Sequence, residues 1–194
     1  MAFFALQNWP LWFLSVAMIV AAVIDGWKLK VPNWLTFPLI LSGWLLGLLH
    51  DIGLLSGVGG IGASLAGTAL GFALLLPIYA IGGMGAGDVK MQMGFGAWVG
   101  AFFGLSQGLS IVFYAFCAAA LIGGVIALVM IVIRGQLRRN VQNTREIVGD
   151  LFNSPNIGTV AGKAAERKPR LQLLPYGIPL CIGFVGYLFL LYGV

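Results

Sequence analysis

Charged residues divide the chain into five long uncharged stretches, 1–24, 31–50, 52–87, 91–133 and 171–194. A membrane-crossing helix needs about 20 mostly apolar residues at 1.5 Å rise each. Stretches of 24, 20 and 24 residues therefore hold one span apiece. The 43 residues of 91–133 hold two, with a turn expected near Ser106-Gln107-Gly108. The 36 residues of 52–87 begin with a glycine-rich part, 53–62, that makes a poor helix, since an interior glycine costs about 1 kcal/mol. One span over roughly 57–81 is the simpler choice there. The pattern predicts an all-α, polytopic membrane protein of six helices, one membrane-embedded domain over 1–194.

The loops support that count. With six spans, loops 25–33, 82–92 and 134–174 share one face, and loops 51–56 and 106–109 share the other. All eleven Lys and Arg residues then fall on the first face: Lys28, Lys30, Lys90, Arg134, Arg138, Arg139, Arg145, Lys163, Arg167, Lys168 and Arg170. Cytoplasmic loops carry the Lys/Arg excess, so this face is expected to be cytoplasmic and both termini extracytoplasmic. A second span within 52–87 would spoil the segregation. The N-terminal run has no basic n-region and no Ala-x-Ala site, so 11–24 reads as the core of a retained span. Trp9, Trp12, Trp27 and Trp34 suit interfacial belts.

Composition narrows the class. Sixty per cent of the residues are hydrophobic and 9% are charged, where a soluble domain carries about 25% charged residues. A water-soluble fold is excluded. The 29 glycines are interleaved with Leu, Ile, Phe and Trp, which argues against disorder. Cys117 and Cys181 lie in apolar runs, without metal-ligand spacing. The net charge of +5 is accounted for by loop charge that orients the chain, and no nucleic-acid partner is expected.

Six acidic residues remain. Glu146, Asp150 and Glu166 lie among eight basic residues of 134–170, and His50-Asp51 forms a polar tip on the outer loop. Solvated loop surface explains all of these. Asp25 instead ends the apolar run 15–24, and Asp88 follows the glycine-rich Gly82-Gly83-Met84-Gly85-Ala86-Gly87. Ionisable groups at membrane depth are costly and point to function, and the topology puts both at one face. Two readings stay open on these residues alone. Asp25 and Asp88 are interfacial charges paired with Lys28 and Lys90, or they are a working pair. Lys28 is within helical pairing distance of Asp25, whereas Lys90, two residues past Asp88, points away from it. Two close carboxylates cannot both ionise readily, so one keeps a proton while the other acts as base toward a shared water.

Gly85-Ala86-Gly87-Asp88-Val89-Lys90 resembles the Gly-x-Gly-Asp-x-Lys motif of type IV prepilin peptidases, which are membrane aspartic proteases. Asp25, with Lys28-Leu29-Lys30-Val31-Pro32-Asn33 downstream, is similar to that family's first catalytic aspartate and its Ile/Val-Pro-Asn segment. Leu174-Pro175-Tyr176-Gly177 resembles the Pro-Tyr/Phe-Gly entry to the last span. The resemblance implies hydrolysis of the basic leader of prepilin-like precursors at the cytoplasmic face of the bacterial inner membrane. It implies Asp25 and Asp88 as the catalytic pair, with Gly85 and Gly87 beside the substrate and no metal or cofactor. Larger members carry an insert with two Cys-x-x-Cys pairs and also methylate the new pilin N terminus. Here six residues, 26–31, separate Asp25 from Pro32 and no such pair exists. The chain thus looks like the short branch serving Flp/Tad-type pili, and methylation is not expected.

Other features read structurally. Gly96, Gly100, Gly104 and Gly108 recur every four residues, a spacing that lets helices approach closely, and the same approach would open a substrate groove beside Asp88. Gly67 with Gly71 and Gly43 with Gly47 are shorter instances, and Pro77 is a candidate kink. The basic segment 134–170 would attract anionic lipid headgroups of the bilayer. The rival readings are a related membrane aspartic peptidase with another substrate and a small proton-coupled transporter. Transport would call for polar residues along a path across the membrane, whereas the two acids sit at one face. Oligomeric state is not legible.

Overall fold

The computed structural model describes residues 9–55, 58–133 and 175–192. The basic segment with Glu146, Asp150 and Glu166, and Leu174 of the last motif, lie outside the described residues. Within them the chain is all helical: α1 (Trp9–Lys28), α2 (Asn33–Asp51), α3 (Ile61–Ala80), α4 (Ala86–Ile133) and α5 (Gly177–Tyr192). Helices α1, α3 and α4 are long and apolar enough to cross a membrane, and α5 is a shorter apolar helix. Large apolar side chains also cover the outside, among them Ile19, Leu41, Phe72, Leu121 and Leu190, as lipid contact requires. This is a multi-pass membrane protein.

Helix α4 is two helices. Gly104 has φ +77° and ψ −174°, a conformation open to glycine, and it breaks the helix between 86–103 and 105–133. A Cβ on Gly108 would lie 3.0 Å from the Cα of Gly100, so the second part folds back on the first. The turn expected at Ser106-Gln107-Gly108 is therefore corrected to Gly104. Polar groups at and beside the expected place are bonded without leaving the helix. Ser110 Oγ bonds the carbonyl of Ser106, and Gln107 donates to the Tyr192 hydroxyl at 2.9 Å.

The first part of α4 lies at the centre and touches every other helix. Glycine makes this possible: Gly96 and Gly67 meet backbone to backbone, and Gly100 meets Ala63 in the same way. The glycine stripe is thus a packing seam with α3. A polar thread ties α2, α3 and α4: Trp44 Nε1 donates to Thr68 Oγ1, and Ser64 Oγ to the carbonyl of Ala97. Trp98 Nε1 binds the Leu39 carbonyl of α2 at 2.9 Å. On the other side Phe95 stacks on Phe184 of α5 at 4.3 Å, beside Leu14 and Met18 of α1 in the core. These contacts pack α1, α4 and α5 into one core.

Candidate active site

Asp25 lies in the last turn of α1 and Asp88 in the first turn of α4. Both are buried, with 2% and 4% of their surface exposed. Burying a carboxylate is expensive unless it is hydrogen-bonded, and each has one oxygen held by a glycine N–H. The amide of Gly177 donates to Asp25 Oδ2 at 2.8 Å, and that of Gly85 to Asp88 Oδ2 at 3.2 Å. The second contact is half of a capping box, with the acid of the third helical position reaching back to the residue before the helix. In both cases a carboxylate meets the amide-rich start of a helix, where negative charge is favoured.

The two acids lie within electrostatic reach of one another, and Tyr176 lies within reach of Asp88. Asp88 Oδ1 has no hydrogen-bond partner among the described residues. Leaving that buried oxygen without a partner is costly for a carboxylate unless a substrate or water completes it. The paired-lysine reading is not what the structure shows: Lys90 Nζ donates to Asn33 Oδ1 at 2.9 Å rather than to Asp88. Among the described residues no group of three or more His, Cys, Asp or Glu side chains comes together as a metal site requires.

The glycines around Asp88 meet protein groups. Gly85 gives its N–H to Asp88. Gly87 seats the turn between α1 and α2: a Cβ there would lie 2.8 Å from the Val31 carbonyl oxygen and 2.9 Å from its nitrogen. Two residues were not assigned a role from sequence. Gly177 holds Asp25 across 152 residues of chain; the Pro-Tyr-Gly motif marked its place but not its function. Gln92, one helical turn beyond Asp88, is fully buried with neither amide atom partnered among the described residues. A lone glutamine inside an apolar run was its available signal.

Beside the carboxylates an apolar cavity of about 230 Å³ opens between α3, the second part of α4 and α5. Met84 and Tyr176 form part of its wall, each one residue from a glycine that holds an aspartate. Ala120, Gly123 and Gly124 form the floor on α4. A Cβ at Gly124 would meet nothing within 4 Å.

A membrane helical bundle with two buried carboxylates at adjoining helix ends defines the class of intramembrane acid site. Residues 12–128 match the type IV leader peptidase family, and the chain belongs to that family. The matched region contains both aspartates and ends before α5. Membership indicates a protease, a hydrolase of the membrane. No curated protein and no solved structure matches the chain.

Proposed function

We propose that this chain is an aspartic endopeptidase that removes the basic leader of Flp-type type IV prepilins at the cytoplasmic face of the inner membrane. In this reading all 194 residues form one peptidase domain of six spans with both termini outside, and the new N terminus is left unmethylated. The observation that carries it is the convergence of Asp25 and Asp88, both buried, each fastened by one backbone N–H and neither paired with a cation among the described residues. Family membership supplies the leader-peptide substrate class.

The chemistry follows from the pair. Two close carboxylates hold one proton between them. The ionised acid takes a proton from water as its oxygen attacks the scissile carbonyl, and the protonated acid gives its proton to the carbonyl oxygen. Collapse of the tetrahedral intermediate breaks the C–N bond, with a proton passing to the leaving amine. Oδ2 of each aspartate is fixed by glycine, which leaves Asp88 Oδ1 to face the water. Gly85 stands beside Asp88 where an extended substrate would run, while the space at Gly87 is taken by Val31, and the apolar cavity beside Tyr176 takes up hydrophobic residues next to the scissile bond.

Co-expression with a Flp-type prepilin tests the reading. Asp25→Asn and Asp88→Asn should each abolish leader loss, measured by intact mass of the pilin, while membrane insertion persists. Leader loss at the unsubstituted level in either variant overturns the mechanism.

A further inference from the structure

Two motif residues have no part in the chemistry above: Lys90, which closes the stretch around Asp88, and Asn33, which follows Pro32. The fold joins them. Lys90 Nζ donates to Asn33 Oδ1 at 2.9 Å and lies 4.6 Å from the centroid of the Phe37 ring. Asn33 and Phe37 are one helical turn apart, so a single ammonium grips one edge of α2 at its start. A lysine suits this task. Its ammonium carries three donors on a flexible stem, so it can bond an amide oxygen while resting on a ring face.

This tie acts on the carboxylates through a short lever. Four residues, 29–32, join α1 to α2. The turn begins at Asp25 itself, whose carbonyl accepts the Leu29 N–H at 2.7 Å. Leu29 has φ +50°, a conformation L-residues seldom adopt, so the turn is tightly constrained. Its middle, Val31, is buried against Gly87, the neighbour of Asp88. Releasing the start of α2 from α4 would let this turn lift from Gly87 and carry the end of α1 with it.

We infer that Lys90 is a positioning residue: by holding Asn33 and Phe37 it seats the α1–α2 turn on Gly87 and so sets the separation of Asp25 from Asp88. The inference rests on those two aspartates being the reacting pair. A misplacement of about 1 Å at a reacting group costs on the order of 100-fold in rate, so the tie is read in turnover. Lys90 touches neither carboxylate, and its loss leaves substrate affinity unchanged.

The test uses the full chain in lipid, with kcat and KM measured for cleavage of a leader-bearing precursor. Lys90→Met, Asn33→Leu, the double variant and Lys90→Arg are compared. Asn33 is exposed, so its replacement tests the tie without disturbing the core. Each single variant should lower kcat by about 10- to 100-fold with KM nearly unchanged. The double variant should be no slower than the worse single one, because both break the same tie. Lys90→Arg, which keeps the charge, a donor and a group that stacks on Phe37, should recover most of the rate. Unsubstituted kcat in Lys90→Met or Asn33→Leu overturns the inference, as do losses that multiply in the double variant or that fall on KM. Asp25→Asn and Asp88→Asn run alongside: cleavage by either removes the aspartate reading, whatever the coupling between Lys90 and Asn33.

Discussion

Replacing Gly177 by alanine places one methyl group against Asp25. The new Cβ would lie 2.9 Å from both Cβ and Oδ2 of Asp25 and 3.1 Å from Cγ. Ordinary non-bonded carbon separations are about 3.5–4.0 Å, so the carboxylate or the start of α5 must shift by about 0.5–1 Å. The shift also stretches the 2.8 Å bond from the Gly177 amide to Oδ2, and a hydrogen bond to a charged group contributes about 1.5–3 kcal/mol. A displacement of that size at a reacting group costs on the order of 100-fold, or about 2.7 kcal/mol of barrier. Initial rates of leader cleavage should therefore fall about 100-fold, with a smaller loss of thermal stability from the strained contact. Gly186→Ala on the same helix is the control, since a Cβ there meets nothing within 4 Å. Cleavage at the unsubstituted rate by Gly177→Ala, or equal loss in Gly186→Ala, would refute the argument.

Three further outcomes follow from the packing. Gln92→Leu removes a buried amide without partners among the described residues, so thermal unfolding should show no loss of stability and a gain of roughly 1 kcal/mol. Gly96→Leu drives a side chain into the backbone of Gly67, and the protein should fail to accumulate as a protease-resistant species in membranes. Gly124→Leu places a side chain at the apolar cavity from a position where a Cβ meets nothing within 4 Å, so folding should persist. Cleavage of precursors with a hydrophobic segment should then drop about tenfold, a loss of roughly 1.4 kcal/mol by comparison of kcat/KM.

Much of the bundle was legible because uncharged length alone fixes where helices fit. The third helix begins at Ile61, after the glycine-rich part that the sequence disfavoured as helix. Polarity at Ser106-Gln107-Gly108 points to the wrong place for the break in α4. The Ser106 carbonyl and the Gln107 amide find partners while helical, and the break follows instead from a backbone angle at Gly104. Asp25 and Asp88 were legible as charges in apolar surroundings, and the orientation of Lys90 away from Asp88 followed from helical spacing. The grip of Gly177 on Asp25 was not, because no local pattern reports a contact across 152 residues. The same holds for Gly87, whose seat is a turn far away in sequence.

The long reach of the Gly177 bond has a consequence for biogenesis. The chain acquires Asp25 with its first helix and Asp88 with its fourth, yet the donor that fixes Asp25 arrives only with α5. A ribosome that has delivered every residue through Ile133 has placed both acids in the membrane without the clamp that aims one of them. If the two aspartates are the reacting pair, proteolytic competence waits for α5 to dock, and a chain cut short before Gly177 should be silent. Helix α5 thus sets the order in which the site can be assembled.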